Sequence, residues 1–371
     1  MADQAGVNFP PENLYKSGVE SIPRGHAAAG LGAEIAQVLD REVSARNIDV
    51  VLQSRLTRLK TEKSTSRVIG VCYGEDEVTA DAVVIATGGF GANPHYLRKY
   101  YPDAVSQAEK SWYIGSEFCM GDGLLLGQQA GADIVGFNRG LLLTTPDFKK
   151  ELEVYAPGWL VYVNREGRRF VNEMAEYAVM SGVINAQTGG SCFALFDDAA
   201  LKTAKPNKQY EDAFAAGIVS LNWVTDEINQ QIETGKVMVA NTFDQLEQQC
   251  GIRPGSLNAT ITRYNQDIDL GADSMFFKDH AEMKPVVTPP FYAVEIFPAI
   301  VCLTSTGLRI NLNAQVLNER DEVIPRLYAA GETTGDVLGE RYIGGGNSIA
   351  NAIVFGRIAG QQAAADSQQS H

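Results

Sequence analysis

Three glycine-rich segments contain most of the residues of this sequence that could do chemistry. They are VVIATGGFGAN at 83–93, RLYAAGETTG at 326–335 and YIGGGNSIANAIVFGRIAG at 342–360. Each places glycines where a predicted strand ends and a helix or loop begins, and glycine lets a ligand approach backbone N–H groups closely. A helix that begins behind such a turn offers unpaired N–H donors and the positive end of its dipole. A single junction is typical of ordinary turns, but three in one chain favour a nucleotide or flavin site.

The elements that must position the first junction follow from hydrophobic spacing. Apolar residues recur at helical spacing over 32–46, and the run DAVVIA at 81–86 is typical of a strand that is buried on both faces. The polar stretch at 61–66 predicts a hairpin tip. The other predicted strands of this part are Ile48–Leu52, Val68–Tyr73 and Glu77–Ala80.

The second half of the chain returns to strands and one long helix. A proline-rich segment at 284–293 predicts a crossing between domains, and the last helix is expected over 347–365. Helices are also expected near 121–131, 172–187, 242–250 and 256–268, and strands at Phe291–Ile296, Leu308–Leu312 and Gln315–Leu317. We therefore predict one α/β domain made from residues 1–105 and 289–371, with an α+β domain inserted at 106–288.

Composition excludes several classes of protein. The chain has 31 Lys and Arg against 45 Asp and Glu, a net charge of −14, which argues against a nucleic-acid partner. No apolar run approaches the ~20 residues of a membrane span. The N-terminal residues have neither a basic region nor an apolar stretch, so we expect no signal peptide. The five cysteines are scattered without a CxxC pair, and only four histidines occur. We therefore expect no metal site and no disulfide framework, and we predict a cytoplasmic protein.

Taken in order, the motifs resemble one flavoprotein family. It contains the fumarate reductase and succinate dehydrogenase flavoprotein subunits and the 3-ketosteroid dehydrogenases. The resemblance runs from about residue 20 to 362. It rests on the ATGG strand end, MGDG at 120–123, NREGRRFVNE at 164–173, AAGETTG, and the final GGGNSIANAIVFGRIAG. It implies FAD as the cofactor, a partial doubly wound FAD-binding domain at 1–105 and 289–371, and a substrate (cap) domain at 106–288.

The sequence departs from this family at one motif. Members normally begin with a strand and a GxGxxG turn that holds the FAD pyrophosphate. No GxGxxG occurs here, because Pro94 and Leu126 stand where the third glycine would be. We therefore expect that this chain lacks the first ~130 residues of a typical family member, which is about the length that a Rossmann half with its connections requires.

The resemblance also assigns cofactor contacts. Glu332 is expected to bind the ribityl or ribose hydroxyls of FAD, and Asp122 is expected to be a second carboxylate near the flavin. The start of the last helix would contact the isoalloxazine and stabilise reduced flavin through the helix dipole. The full set of predicted cofactor residues is Ala86, Thr87, Gly88, Gly89, Asp122, Gly331, Glu332, Asn347, Ser348 and Ile349.

Two tyrosines indicate the branch of the family. Fumarate reductases bind their dicarboxylate with arginines, one four residues after the NE of the RF-x-NE segment and one before the last glycines. The matching positions here are Tyr177 and Tyr342, and a family histidine is replaced by Leu338. These replacements resemble the ketosteroid dehydrogenases, so the implied substrate is a small, apolar, steroid-like ketone.

The implied reaction desaturates a carbon–carbon bond next to the ketone, or reduces an enone in reverse. The Tyr342 hydroxyl and the Gly346 N–H would polarise the ketone oxygen. Tyr177 would take the α-proton if its pKa is lowered, and the flavin would take the hydride. These three residues form the predicted catalytic set, in an enzyme of steroid metabolism.

Two alternatives stay open. A fumarate reductase-like enzyme for an unsaturated acid would need Arg341 to replace Tyr342 through a shift of one residue. A non-catalytic or incomplete flavoprotein fragment would expose apolar surface where strands are missing. The sequence indicates neither the electron acceptor, since it has no haem or iron–sulfur motif, nor the oligomeric state.

Overall fold

The computed structural model describes residues 1–16, 21–107 and 109–368. They divide into two compact units. Unit 1 contains the described residues of 1–96, 115–140 and 303–368, and unit 2 contains those of 97–114 and 141–302. Each unit is described by itself.

Helices and strands alternate irregularly along the chain. The α-helices of the described residues are α1 (Ala2–Ala5), α2 (Leu31–Ala45), α3 (Pro94–Tyr100), α4 (Asp122–Gln129), α5 (Tyr177–Asn185), α6 (Asp198–Lys202), α7 (Glu211–Ala215), α8 (Thr225–Glu233), α9 (Phe243–Cys250), α10 (Ser256–Asp269) and α11 (Asn347–Gln368). The strands are β1 (Leu14–Tyr15), β2 (Gly25–His26), β3 (Arg58–Thr61), β4 (Val68–Tyr73), β5 (Asp76–Thr79), β6 (Val83–Ile85), β7 (Trp112–Tyr113), β8 (Ile134–Val135), β9 (Gly140–Thr145), β10 (Val161–Val163), β11 (Cys192–Asp197), β12 (Val237–Ala240), β13 (Phe291–Thr304), β14 (Gly307–Leu308), β15 (Gln315–Leu317) and β16 (Val323–Ala329).

Unit 1 is built on a three-stranded sheet of order β15–β16–β6, in which β16 runs antiparallel to β15 and parallel to β6. A separate antiparallel meander, β3–β4–β5, contributes Leu59 and Val68 to the same hydrophobic core as Ile85 and Leu327. Parallel strands and helices in one core confirm the predicted mixed α/β class.

The boundary of unit 1 differs from the predicted one. Residues 115–140 were placed in the inserted domain by the sequence, but the structure groups them with unit 1. The reason is packing: α4 contributes Leu126 to the core that contains Ile85 and Leu308, and β8 pairs with β14. That unit 1 is the cofactor domain and unit 2 the substrate domain stays a prediction.

Unit 2 is built on an antiparallel sheet of order β10–β11–β13–β12, to which β7 and β9 also pair through β13. Side chains alternate between its two faces, as strand geometry requires. Ala194 and Phe196 point into one hydrophobic core, and Phe193 and Leu195 into the other. Helices therefore cover both faces of the sheet.

Three predicted strands differ in the structure. Residues 48–52 form no strand, and Ile48, Val50, Val51 and Leu52 are 54–78% exposed, because no described strand pairs with this apolar segment. The predicted strand at 81–86 is not buried on both faces. It shortens to β6, which lies at the edge of its sheet with Val84 exposed. The strand predicted at 308–312 is only the two-residue β14, and Ile310 makes an isolated bridge to Val316.

Other general features can be stated for the part of the chain that the structure describes. None of its helices has both the length and the apolar character needed to cross a membrane. All five cysteines are free thiols. His, Cys, Asp and Glu side chains of the described residues form no cluster suited to a metal ion.

Candidate cofactor and active site

Two of the three glycine junctions lie side by side at the carboxyl ends of parallel strands in unit 1. Strands β6 and β16 are parallel, with Val83 opposite Leu327 and Ile85 opposite Ala329. Their carboxyl ends therefore lie side by side, and the Ala330 N–H donates to the Ile85 carbonyl at 3.0 Å. The turns that follow, at 86–89 and 331–333, thus lie at the end of an α/β sheet where ligands characteristically bind.

Thr304 joins these two turns. Its backbone N–H and its hydroxyl donate to Glu332 Oε1 at 2.8 and 2.9 Å, and its Oγ1 accepts the Phe90 N–H at 3.3 Å. A Cβ at Gly89 would lie 2.2 Å from Glu332 Oε1, so only glycine fits there. Burial raises the pKa of Glu332, and the two bonds from Thr304 lower it in part. Among the described residues, Thr304 is the one that donates hydrogen bonds to the Glu332 carboxylate, and both of these bonds go to Oε1.

The first turn of α4 packs against the same turns. A Cβ built on Gly123 would lie 2.3 Å from Thr333 Oγ1 and 2.4 Å from Thr87 Oγ1. Thr87 and Thr333 therefore face each other across this glycine. The structure thus brings together Thr87, Gly89, Gly331 and Glu332, all predicted from the sequence.

We expect Gly123→Ala to destabilise the protein by about 1–3 kcal/mol, because the added methyl group overpacks a filled site. Gly356→Ala is the matched control, since Gly356 is also a helical glycine but its added Cβ has no atom within 4 Å. The control should instead stabilise α11 by up to about 1 kcal/mol. Urea unfolding followed by far-ultraviolet circular dichroism measures both changes, and equal effects of the two substitutions would contradict the close packing at Gly123.

The third junction leads into α11. Gly346 has φ +90°, and the Asn347 side chain donates to the Gly344 carbonyl at 3.0 Å, which closes the turn before the helix. Ser348 lines a small cavity together with Glu332 and Thr304, so the start of α11 lies beside the two strand ends. Ile349 is instead exposed.

Asp122 has a partner that the sequence did not indicate. Both of its carboxylate oxygens accept hydrogen bonds from Arg55, at 2.6 and 2.8 Å. Arg55 is largely exposed and follows the apolar segment 48–52. The predicted role of Asp122 near the flavin stays a prediction, and a ligand contact there would have to coexist with this ion pair.

Tyr342 lines a mainly apolar cavity at the start of α11. The cavity has a volume of about 330 Å³, at the lower end of the range for small-molecule sites. Tyr342 is only 8% exposed. The described residues that line the cavity carry no charge: they are Val337, Leu338, Tyr342, Ile343, Asn347, Ala350, Asn351 and Val354. Arg341 is exposed and is not among them.

Tyr177 belongs to unit 2, where it is the first residue of α5. Its half-buried ring packs edge-to-face against Tyr155, with centroids 5.7 Å apart. The Tyr155 hydroxyl donates to the Glu176 carboxylate at 3.1 Å. Burial raises the pKa of Tyr155, and the negative charge of Glu176 raises it further. The catalytic role of Tyr177 stays a prediction.

A buried ionic network lies just before α5. Glu173 accepts two hydrogen bonds from Arg169, at 2.9 and 3.0 Å, and pairs with Lys278 at 3.2 Å. Arg169 also binds Asp273 at 2.9 and 3.1 Å. Burial alone would raise the pKa of Glu173, but Lys278 and Arg169 outweigh it and lower the pKa. With two cations and two carboxylates the network is neutral, which is the condition for burying charge.

A second buried carboxyl in unit 2 is not paired with a cation. Glu153 is 5% exposed, and its Oε2 accepts the N–H groups of Asn222 and Trp223 at 2.6 and 3.2 Å. Its Oε1 has no hydrogen-bond partner among the described residues. Burial raises the pKa of Glu153 from 4.5 to about 7, although the two backbone N–H groups lower it.

The raised pKa predicts a pH-dependent stability of unit 2. The folded state holds the carboxyl proton of Glu153 more tightly than the unfolded state does. The resulting contribution to the free energy of unfolding is complete below pH 4.5 and is lost as the pH rises to about 7. As the pH rises through this range, we expect Glu153→Gln to become more stable relative to the unsubstituted protein, by up to ~1.4 kcal/mol per pH unit. Urea unfolding followed by tryptophan fluorescence measures it, because all three tryptophans lie in unit 2. A difference that does not change with pH would contradict it.

Three residues of the site were not anticipated from the sequence. Thr304 and Thr333 are short side chains in turns, and no local pattern identifies them. Asn351 had a signal, because it lies four residues after Asn347 and so on the same face of α11. A buried asparagine inside a helix is also uncommon.

The residues present fit a bound FAD. Near the glycine junctions, two buried polar atoms, Thr333 Oγ1 and Asn351 Oδ1, have no hydrogen-bond partner among the described residues. Buried polar groups are normally satisfied, so these atoms are suited to a ligand. The first N–H groups of the 22-residue helix α11 have no partners within the helix, and its second residue, Ser348, lines the same small cavity as Asn351.

Comparison with known proteins supports this fit. Residues 17–349 match the family described as FAD binding domain. Fumarate reductase (cytochrome) of Shewanella frigidimarina is 32% identical over 95% of this chain and 59% of that protein. The 3-oxosteroid 1-dehydrogenase of Mycolicibacterium smegmatis is 26% identical over 93% of this chain and 64% of that protein. The chain thus spans about 60% of the length of these relatives.

A solved structure shows the same fold. It is the 3-ketosteroid-Δ4-(5α)-dehydrogenase of Rhodococcus jostii RHA1 in complex with 4-androstene-3,17-dione, with a TM-score of 0.71 at 22% identity. The match covers 97% of this chain and 76% of that one. Because the family match extends over most of the sequence, the chain belongs to the FAD binding domain family, and its cofactor is FAD.

Proposed function

We propose that this chain acts in an FAD-dependent oxidoreductase that desaturates a carbon–carbon bond next to a ketone, or reduces the corresponding enone. The substrate class is a small, apolar, steroid-like ketone. One observation carries the proposal: Tyr342 borders a cavity of about 330 Å³ whose described lining is uncharged. A dicarboxylate in this cavity would lack the cationic partners that carboxylate recognition requires, whereas an apolar ketone would not need them.

The residues of the chain have distinct roles in this proposal. The Tyr342 hydroxyl donates a hydrogen bond to the ketone oxygen, and the Gly346 N–H donates a second one. Both bonds strengthen as negative charge develops on that oxygen, which acidifies the α-hydrogen. Tyr177 accepts this hydrogen as a proton. Bound FAD supplies the acceptor for the hydride that leaves the β-carbon, so two hydrogens and two electrons leave the substrate.

Tyr177 needs a lowered pKa for this role. The proton acceptor is therefore the part of the proposal that most needs its own test, and a Tyr177→Phe variant that keeps full turnover would remove the residue from the mechanism.

Fumarate reductase-like activity is the second candidate. The fumarate reductase relative shares 32% identity with this chain, more than the 26% of the oxosteroid dehydrogenase. Arg341, next to Tyr342, would have to bind the carboxylate, although it lies outside the cavity lining.

The two candidates are separated by the half-reactions of the FAD-loaded protein. We expect anaerobic addition of a saturated 3-ketosteroid to bleach the absorption of oxidised flavin, and succinate to leave it unchanged. In the other direction, an enone steroid should reoxidise the reduced flavin and fumarate should not. Rapid reoxidation by fumarate together with no response to steroids would overturn the proposal in favour of the second candidate.

A further inference from the structure

Asn351 is a buried polar residue to which the proposed reaction gives no role. It lies in the second turn of α11 and is 7% exposed. It lines the apolar cavity with Tyr342, and it also lines the smaller cavity with Glu332 and Ser348. Asn351 therefore borders both of these cavities.

The carboxamide has one satisfied end and one unsatisfied end. Nδ2 donates to the Gly331 carbonyl at 3.5 Å. Only the amide nitrogen can donate to a carbonyl, which favours this orientation of the carboxamide. Oδ1 is buried and has no hydrogen-bond partner among the described residues. A buried acceptor without a donor is unfavourable, and an apolar side chain would avoid that cost.

Asn351 is not needed to satisfy the turn that it contacts. The Gly331 carbonyl also accepts the backbone N–H and the hydroxyl of Thr334, at 3.0 and 2.6 Å. Helix α11 further contacts this turn through Ala352, whose Cβ lies 3.6 Å from the position of an added Cβ on Gly331. The turn is therefore braced by other groups, and the amide group requires another explanation.

We propose that Asn351 is a recognition residue for FAD, and that Oδ1 accepts a hydrogen bond from a donor in the flavin half of the bound cofactor. That half, the ring with its ribityl chain, carries both N–H and O–H donors, and it is the part that the start of α11 is expected to contact. The inference concerns cofactor binding and does not depend on which substrate is oxidised.

The test is a titration of the apoprotein with FAD, followed by quenching of flavin fluorescence. Asn351→Leu removes the acceptor while keeping a side chain of similar size. We expect it to weaken FAD binding by about 10-fold or more, as for loss of one buried hydrogen bond. The midpoint for urea unfolding of the apoprotein should not fall, because the substitution removes an unsatisfied polar group. Gln361→Leu, an exposed position on the same helix, is the control and should change neither quantity.

A second titration uses riboflavin, which lacks the adenosine diphosphate half of FAD. It shows whether the hydrogen-bond donor belongs to the flavin half of the cofactor. The proposal requires Asn351→Leu to weaken riboflavin and FAD binding by the same factor. It is overturned if Asn351→Leu binds FAD as the unsubstituted protein does, if only FAD and not riboflavin is affected, or if the unsubstituted chain takes up no FAD. It is also overturned if the apoprotein of Asn351→Leu loses stability in proportion to its loss of affinity, since the residue would then be structural.

Discussion

Tyr342→Phe is expected to lower the turnover of a ketone substrate by about 10²–10³-fold, the loss typical for one oxyanion donor. The substitution removes a single oxygen atom from a residue whose neighbours Val337, Leu338 and Ile343 are apolar. The phenyl ring can therefore occupy the same space, and we expect little change in stability. FAD should stay bound, because the change removes only the proposed hydrogen bond to the substrate.

Two variants make this result specific. Tyr73→Phe removes a hydroxyl from β4 of the same unit, away from the cavity lining, and should keep full activity. Arg341→Ala should also be active with a ketone. Steady-state rates with a 3-ketosteroid, with flavin content measured for every variant, provide the comparison. Normal turnover in Tyr342→Phe together with inactivity of Arg341→Ala would instead support the carboxylate-binding alternative.

Glu173→Gln is expected to destabilise unit 2 by about 3–5 kcal/mol, the usual cost of breaking a buried ion pair. The substitution leaves Arg169 and Lys278 with Asp273 as the remaining carboxylate of the network, so one positive charge is uncompensated in a site with almost no exposure. The new side-chain amide would also direct N–H donors toward two cations. Urea unfolding followed by tryptophan fluorescence measures the loss.

Glu282→Gln is the matched control in the same unit. Glu282 pairs with Lys208, whose side chain is largely exposed. Exposed pairs contribute at most about 1 kcal/mol, so the control should change stability by less than that. The pH dependence also separates the carboxyls: because the pKa of Glu173 is lowered, its stabilisation is lost on acidification, opposite to Glu153. Similar costs for the two substitutions would contradict a desolvated network.

Elements with strong local patterns could be predicted from the sequence. Helices α2, α9, α10 and α11 lie close to their predicted positions, because apolar spacing and the flanking residues specify a helix locally. The junctions at 86–89 and 331–333 were also identified, and the structure brings them together at one sheet edge. The FAD assignment is confirmed by the family match.

Features that depend on distant partners could not be predicted. Segment 48–52 has the composition of a strand, but a strand also needs a neighbour, and none is present among the described residues. The ion pair of Arg169 could not be predicted, because its partner Asp273 lies 104 residues away in the sequence. The ion pair of Asp122 could not be predicted either, because nothing near Asp122 in the sequence indicates Arg55 as its partner. Long-range pairing decides each of these cases.

The order of segments along the chain has a consequence for synthesis on the ribosome. Unit 2 has all of its segments once residue 302 has been made, whereas unit 1 also needs residues from 303 onward. Strand β6 must wait for β16, about 240 residues later, before it gains its parallel partner. During translation unit 2 can therefore fold first, while β6 of unit 1 lacks its parallel partner until β16 has been made.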